Sequence, residues 1–440
     1  MIFFDKPENP KSGYYLIALL ILALVPRIGC ALLRPPTVES VLTRLNDSTD
    51  YDHLAQKILE GEFTSPSGAP TAFRAPAYPA FLALIYLIFG KQNLIAVAVI
   101  QAILGALNCL LIMKLSERIT GSKPASWIAA LIAAFYPAFI LQVSQILTEV
   151  LGRFLWLLAM TILIESSYSH KKKGFILGGI IFGLAVLNKS VLLITLPVLI
   201  IWLGLKINAP LPDRIKTVFI YFLLPVSIMV GTWTMRNFQI SGKRVPVSTN
   251  FPVTFAHGFT PYCYYAKKWY GSERLMAVPE NFPELTQMRF YKDAGEEIEI
   301  GEYYSQKARD FIRENPGFFL RLSVRKFSHF WSPFISNAPL QRLIALLSMA
   351  PVLFLGWAGI VLSLREKGDM RDYAIFILAT SLLICVPYIL SQPDVRYRVG
   401  LIEPFWIIYS GLALVFPFRK VRIPLPGGAS DRAPGGVHDG

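Results

Sequence analysis

Charge is scarce in this chain. Asp, Glu, Lys and Arg make up 16% of its 440 residues, where soluble domains carry about 25%. The hydrophobic 54% falls in long, nearly unbroken blocks such as 13–33, 94–115 and 373–390, which excludes a soluble enzyme. A run of about 20 apolar residues spans the hydrocarbon core of a bilayer. The alternating segments of about 10 residues that mark a transmembrane β-barrel are missing. Cysteine is sparse too: Cys30, Cys109, Cys263 and Cys385 form no C-x-x-C pair, so neither a disulfide framework nor a zinc site is suggested. No small-residue cleavage site follows the first apolar block, which is expected to stay as a signal anchor. The chain reads as an all-α polytopic membrane protein.

What is there is basic. The net charge of +14 would suggest nucleic acid in a soluble chain; here it is assigned to cytoplasmic loops, and no nucleic-acid partner is expected. Ten stretches read as spans: about 14–33, 93–114, 124–141, 149–167, 174–188, 190–206, 216–235, 340–364, 373–390 and 400–418. An eleventh apolar run, 76–90, opens with Pro76 and Pro79 and is short. If it does not cross, and the N-terminus is cytoplasmic, twelve basic residues fall on the inner loops: Lys114, Arg118, Lys123, Lys171, Lys172, Lys173, Lys206, Arg214, Lys216, Arg365, Lys367 and Arg371. The short outer turns then carry only Lys189, Arg396 and Arg398. The positive-inside rule favours that reading. It makes 76–90 a re-entrant or surface-lying helix and leaves two large outer segments, 34–92 and 237–338.

Ionisable groups near a membrane are costly and hence candidates for function. In the first outer loop, Asp47 sits near a helix N-cap with Asp50 one turn on, where the helix dipole favours carboxylates; the alternative is plain capping of a surface helix. Leu54, Ile58 and Leu59 would share one face of that helix. Arg74 precedes Pro76, a helix starter, at headgroup depth, and a guanidinium there suits a lipid phosphate; ordinary snorkelling is the alternative. Glu149 opens a span, with Arg153 placed to pair with it at i+4. Arg396 and Arg398 flank Tyr397 in the last outer turn, against the positive-inside pattern, and an outer-leaflet phosphate is their natural partner. His53, His257 and His329 all fall on the outer side without metal-ligand spacing. The end of the large loop, Glu314-Asn315-Pro316 through Lys326, Phe330 and Trp331, reads as an interfacial amphipathic helix.

In order along the chain, these residues resemble the GT-C glycosyltransferases, in the family 39-like branch of aminoarabinose transferases and protein O-mannosyltransferases. The resemblance rests on Asp47-x-x-x-Tyr51 with Leu54-Ala55, on Arg74-x-Pro76-x-Tyr78-Pro79 and on Leu147-Thr148-Glu149. It continues through Trp233-Thr234-Met235-Arg236-Asn237, Pro246-Val247-Ser248-Thr249-Asn250, Glu314-Asn315-Pro316 and Arg396-Tyr397-Arg398 before Pro404. It implies a GT-C fold of about ten transmembrane helices plus a re-entrant or juxtamembrane helix and a large outer loop domain. It also implies an acid of the first outer loop as catalytic base, and a polyprenyl-phosphate sugar as donor. By position Asp47 takes the catalytic slot, Asp50 is its fallback, and Glu149 is the second acid. Arg74, Arg396 and Arg398 would bind the donor phosphate, with Tyr51 and Tyr397 in support. Phe73 stands where aminoarabinose transferases have a metal-binding Glu, so no metal ligand is named and a divalent metal is left open.

The chain is thus expected to carry a membrane core (1–236) whose first outer loop (34–92) is catalytic. Beyond it would come an outer domain (237–338), C-terminal helices (339–422) and a disordered tail (423–440). The function read from it is transfer of a sugar from a polyprenyl-phosphate donor to a lipid, glycan or protein acceptor at the periplasmic face of the inner membrane. The alternative is a non-enzymatic lipid or polysaccharide transporter, which mid-span charge pairs and an internal repeat would favour.

Overall fold

The computed structural model describes residues 11–37, 47–259, 292–333 and 339–418. Cys263, Asn46 and the tail 423–440 lie outside the described residues. The helices that build the bundle and hold the site are α1 (Lys11–Leu33), α2 (Asp47–Leu59), α3 (Ala77–Phe89), α4 (Leu94–Thr120), α5 (Lys123–Phe135), α6 (Glu149–Ser169), α7 (Lys172–Asn188), α8 (Leu196–Lys206), α9 (Leu224–Ser241), α10 (Asn250–Gly258), α11 (Ala294–Glu314), α12 (Pro316–Phe330), α13 (Pro339–Arg365), α14 (Asp369–Ile389), α15 (Val395–Leu401) and α16 (Glu403–Val415). Among the described residues the only β pairing is a bridge between Thr64 and Pro70.

Each expected apolar stretch is helical, but they are not ten straight spans. Six helices are long and apolar enough to cross a bilayer, or eight if two bent pairs each count as one. The protein is a multi-pass membrane protein. The other two stretches, α7 with 17 residues and the apolar helix Ser190–Lys206, fall short of that length. Both bends have a sequence cause. Proline disfavours helical backbone in the residue before it, and Tyr136, before Pro137, is extended, so α5 ends and the chain turns by 48°. A second break, of 64°, separates α15 from α16 beside Pro404. The two breaks meet. Tyr136 donates to Glu403 Oε2 at 2.6 Å, and Arg398 Nε donates to Glu403 Oε1 at 2.7 Å.

The core forms where α16 enters the bundle, with every residue from Glu403 to Leu412 buried. Helices in lipid gain little from hydrophobicity and associate through close packing. Glycine permits that here: a Cβ on Gly356 would lie 2.5 Å from Trp406 Cδ1, and one on Gly359 2.1 Å from the Tyr409 carbonyl oxygen.

Helix α3 has 13 residues, which at 1.5 Å per residue is about 20 Å, against a core of about 30 Å. Tyr78, Leu82, Ile85 and Tyr86 are buried, while Leu84, Leu87, Ile88 and Phe89 are exposed. Both of its ends return to α2. Arg74, just before it, binds Asp47 and Asp50, and Gln92, just after it, donates to Asp52 Oδ2 at 2.7 Å. Asp52 Oδ1 also accepts from Tyr86 Oη at 2.7 Å, which locks α3 on α2. At the opposite end of the bundle, Lys206 pairs with Asp369 (2.7 Å) and Asp372 (2.6 Å), and Arg118 lies over Tyr168 at 3.8 Å. Those residues come from the loops read as cytoplasmic.

Within 237–338, α11 and α12 are separate helices divided at Asn315–Pro316. On α12, Leu322, Lys326 and Phe330 are buried while Leu320, Val324 and Phe327 are exposed, the two-sided pattern expected of an interfacial helix. On α2, Leu54 is buried and Ile58 packs partly on the core, but Leu59 is exposed. The expected three-residue stripe is therefore two residues wide.

Candidate active site

The residues at 47, 50, 74 and 396 converge. Asp47 and Asp50 open α2, Arg74 stands two residues before the α3 cap, and Arg396 lies in the first turn of α15. Arg74 Nη2 donates to Asp47 Oδ1 at 2.7 Å and to Asp50 Oδ2 at 2.7 Å, and its Nε reaches Asp50 Oδ2 at 3.1 Å. Arg396 Nη2 donates to Asp47 Oδ2 at 2.6 Å. Each oxygen of Asp47 therefore holds a different arginine. Burial alone would raise the pKa of Asp47, but Arg74 and Arg396 outweigh it and hold the carboxyl well below the usual carboxylate range.

Aromatic rings frame this cluster. The Arg74 guanidinium lies 5.3 Å from the Tyr51 ring centre and 4.8 Å from that of Phe73. Tyr51 packs edge-on to Tyr78 at 5.1 Å, and burial pushes its phenol upward. Tyr397 Oη accepts from Arg396 Nη2 at 2.9 Å, and its ring stacks on Tyr388 at 4.1 Å. Arg396 is oriented by Asp394, which caps α15 by accepting from Arg396 N and pairs with Arg396 Nε at 3.2 Å.

Glu149 is buried, and its partner is not the expected one. Arg153 donates instead to Gln142 and lies 3.6 Å over the Phe139 ring. The cation on Glu149 is Lys189, whose Nζ sits 2.9 Å from Oε1. Gly152 makes room for this pair, because a Cβ there would lie 3.5 Å from Lys189 Cγ and 2.7 Å from Asn188 Nδ2. The Lys189 ammonium is also 4.8 Å from the Tyr397 ring centre, linking the pair to the arginine side of the site. A signal for Lys189 was present, since a basic residue in a short outer turn departs from the positive-inside pattern as Arg396 does.

Arg398, expected at the donor phosphate, lies apart from this cluster. It is fully buried and bound to Glu403, and its Nη1 donates to the carbonyls of Phe330 and of Ser332, the latter at 3.0 Å. Alternate spacing around Tyr397 sends the two arginines to opposite sides of a helix turn.

A second network places Arg74. Arg236 of α9 donates to the carbonyls of Thr71 (2.6 Å) and Phe63 (3.0 Å). Thr249 N donates to the Ala72 carbonyl at 3.0 Å. The buried Glu297 of α11 accepts hydrogen bonds from both Thr71 Oγ1 and Thr249 Oγ1, and burial pushes its carboxyl upward. Asn237 and Trp233 hold the partner segment through the carbonyls of Val245 and Val247. Glu297 was missed in the sequence because it lies in an acidic stretch that reads as solvated surface.

The described residues contain no group of three or more His, Cys, Asp or Glu side chains placed to hold a metal. His53 bonds the Thr64 carbonyl at 3.1 Å, and burial pushes the His257 imidazole down to about 4, so it is neutral at pH 7. The free oxygens that a cation would need on Asp47 and Asp50 are largely taken by arginine.

Comparison with known proteins bears on the fold. Residues 73–233 match the family model described as dolichyl-phosphate-mannose-protein mannosyltransferase, a stretch that includes Arg74, Glu149 and Lys189 but neither Asp47 nor Arg396. The oligosaccharyltransferase of Archaeoglobus fulgidus aligns over 92% of this chain and 51% of its own, at 19% identity and a TM-score of 0.53. The chain has the GT-C glycosyltransferase fold. ArnT from Cupriavidus metallidurans aligns over 92% of this chain and 78% of its own, at 14% identity and a TM-score of 0.40. A curated protein of Aquifex aeolicus, described as uncharacterized, is 26% identical over 228 residues, 50% of this chain and 45% of its own. The chain thus spans about half the length of that relative and of the archaeal enzyme. In this fold the Asp47–Arg74–Arg396 cluster joins α2 and the segment before α3 to the last bent helix pair.

Proposed function

We propose that the protein transfers a sugar from a polyprenyl-phosphate donor to an acceptor at the extracytoplasmic face of the inner membrane. The observation that carries this reading is the grip of Arg74 and Arg396 on the two oxygens of Asp47. Two guanidiniums within reach of one carboxylate form a site for a phosphate next to an acid. The fold supports it, since the archaeal oligosaccharyltransferase that shares it has been seen with a dolichol-phosphate.

In the proposed step the acceptor oxygen bonds to the anomeric carbon while the bond from that carbon to the phosphate oxygen breaks. The negative charge left on the lipid phosphate falls to Arg74 and Arg396, an electrostatic role made effective by exclusion of water. The acceptor proton goes to Asp47 as general base. As it stands, Asp47 is a weak base because two cations hold it. A phosphate arriving at the same guanidiniums draws them away, so the donor itself raises the basicity of Asp47. Asp50 retains Arg74 in place. Glu149, with Oε1 on Lys189 and Oε2 without a hydrogen-bond partner among the described residues, positions the acceptor. Arg398 supports the bend at Glu403 and is assigned no contact with phosphate.

The direct test is turnover of a labelled undecaprenyl-phosphate sugar by the purified protein in detergent, with an acceptor screen read by mass spectrometry. Consumption of the donor is expected, and its loss in Asp47→Asn. A protein that binds the donor, leaves it intact and moves it across proteoliposomes would instead be the transporter.

A further inference from the structure

The network that places Arg74 has a counterpart at Arg396, and both lead back to the same three helices. Helices α10, α11 and α12 share a small core of their own, built on Val253, Ala256, Phe259, Tyr304, Ala308 and Leu322. Two residues from other parts of the chain pack against it, Phe73 and Leu390. Phe73 adjoins Arg74, and Leu390 opens the turn that leads to Arg396.

Each of these contacts is backed by one buried ionisable side chain. On the Arg74 side it is Glu297 of α11, which accepts from the hydroxyls of Thr71 and Thr249. The same Thr71 hydroxyl accepts from Phe73 N at 3.0 Å, and the Phe73 ring centre is 4.8 Å from the Arg74 guanidinium. On the Arg396 side it is Lys326 of α12, whose Nζ donates to the carbonyls of Gly258 (2.7 Å) and Ser391 (2.8 Å). Gly258 ends α10 and Ser391 lies just past α14. A helix C-terminus favours a cation, and an ammonium has donors enough to bridge two carbonyls. Gly258 permits the close approach, since a Cβ there would lie 2.5 Å from the Ser391 carbonyl oxygen. One turn beyond Lys326, Phe330 stacks on Tyr388 at 6.0 Å and Tyr388 on Tyr397 at 4.1 Å. Tyr397 Oη in turn accepts from Arg396 Nη2. Helix α12 thus reaches Arg396 by two routes, through the main chain at Ser391 and through stacked rings.

We propose that α10, α11 and α12 form a frame that sets the separation of the two guanidiniums, with Lys326 the positioning residue for Arg396 and Glu297 the positioning residue for Arg74. Neither touches the donor; each acts through its arginine. A buried ion with its hydrogen bonds satisfied fixes direction as well as distance, whereas apolar contact alone would let either segment slide. The proposal rests on the reading of the two arginines as the cations of the donor phosphate.

The test is a pair of double-mutant cycles on the purified full chain in detergent, read as affinity for undecaprenyl phosphate. Lys326→Met keeps the stem and removes the donors. It should weaken binding about tenfold, at the low end of what loss of a charge-assisted hydrogen bond to the phosphate would cause. Residues in one network fail to add, and those without shared partners do add. In Arg396→Ala the same substitution should therefore cost little more, while in Arg74→Ala it should cost most of its tenfold. Thr71→Val, which frees the Arg74 segment from Glu297, should show the reverse dependence. Glu297→Leu should behave as Thr71→Val does, and Glu297→Gln, whose amide still accepts from Thr71 and donates to Thr249, should recover most of the loss. Equal losses in both arginine backgrounds would make Lys326 and Glu297 plain supports of the fold and overturn the frame. Unchanged affinity in Lys326→Met and Thr71→Val would overturn it too. A wild-type chain that binds no undecaprenyl phosphate removes the proposed function itself, and the frame with it. Should Lys326→Met not fold, the milder Thr71→Val cycle decides alone.

Discussion

Asp47 is the residue on which most depends, and its environment makes separable predictions. Asn in its place keeps shape but accepts no proton, and general-base catalysis is worth about 10²–10⁴-fold. Asp47→Asn should lose at least about a hundredfold in turnover while still binding donor. Glu149→Gln should lose less, because the role proposed for Glu149 is to position the acceptor and not to take its proton. Near wild-type turnover in Asp47→Asn together with a dead Asp50→Asn would move the base by one turn of α2. Charge-assisted hydrogen bonds contribute about 1.5–3 kcal/mol each, so Arg396→Ala should weaken donor binding by roughly one to two orders of magnitude, while Arg398→Ala should act through stability. The low pKa of Asp47 gives a pH prediction whose sign is fixed. A carboxyl depressed in the folded state stays ionised below the ordinary Asp value of about 3.9. The acid limb of kcat/KM, which reports the free enzyme, should therefore lie below about pH 4. Stability contributed by the Asp47–arginine contacts is likewise present above that ordinary value and lost as pH falls further. An acid limb centred near pH 6 would assign the base elsewhere.

At the scale of helices, the packing of α13 on α16 depends on absent side chains. A Cβ on Gly359 would meet the main-chain oxygen of Tyr409, and a backbone atom cannot swing away. Gly359→Ala should cost about 1–3 kcal/mol, read as a lower thermal midpoint in detergent. Gly204→Ala, with nothing within 4 Å of the added carbon, serves as the control and should not lower the midpoint. Helices were legible in the sequence because hydrophobicity is a local property, and the bend at Tyr136 could have been read from Pro137. The pairings were not. Glu149 and Lys189 are separated by 40 residues, and a nearer arginine at i+4 offered a plausible partner that burial and Gln142 took instead. Arg396 and Arg398 look alike in sequence; their alternate spacing on α15 turns one toward Asp47 and encloses the other with Glu403. Charge anomaly picked out residues that the fold brings together, such as Asp47, Arg74 and Arg396, whereas the identity of each contact needed three dimensions.

For the whole molecule the disposition of ends is what experiment can reach first. If α3 does not cross, Glu60→Cys should react with an impermeant thiol reagent on intact cells, and Lys172→Cys should react only after permeabilisation. The reverse pattern would invert the arrangement proposed here. The deep burial of α16 bears on how the protein is made. It is the last helix of the described chain to leave the ribosome, yet it occupies the centre. Earlier helices therefore enter the membrane before it, with Tyr136 lacking Glu403 and the bare faces of Gly356 and Gly359 lacking Trp406 and Tyr409. Insertion and assembly are then separate events in time. A chain halted before Glu403 should be inserted yet unassembled, a substrate for membrane quality control rather than a smaller version of the protein.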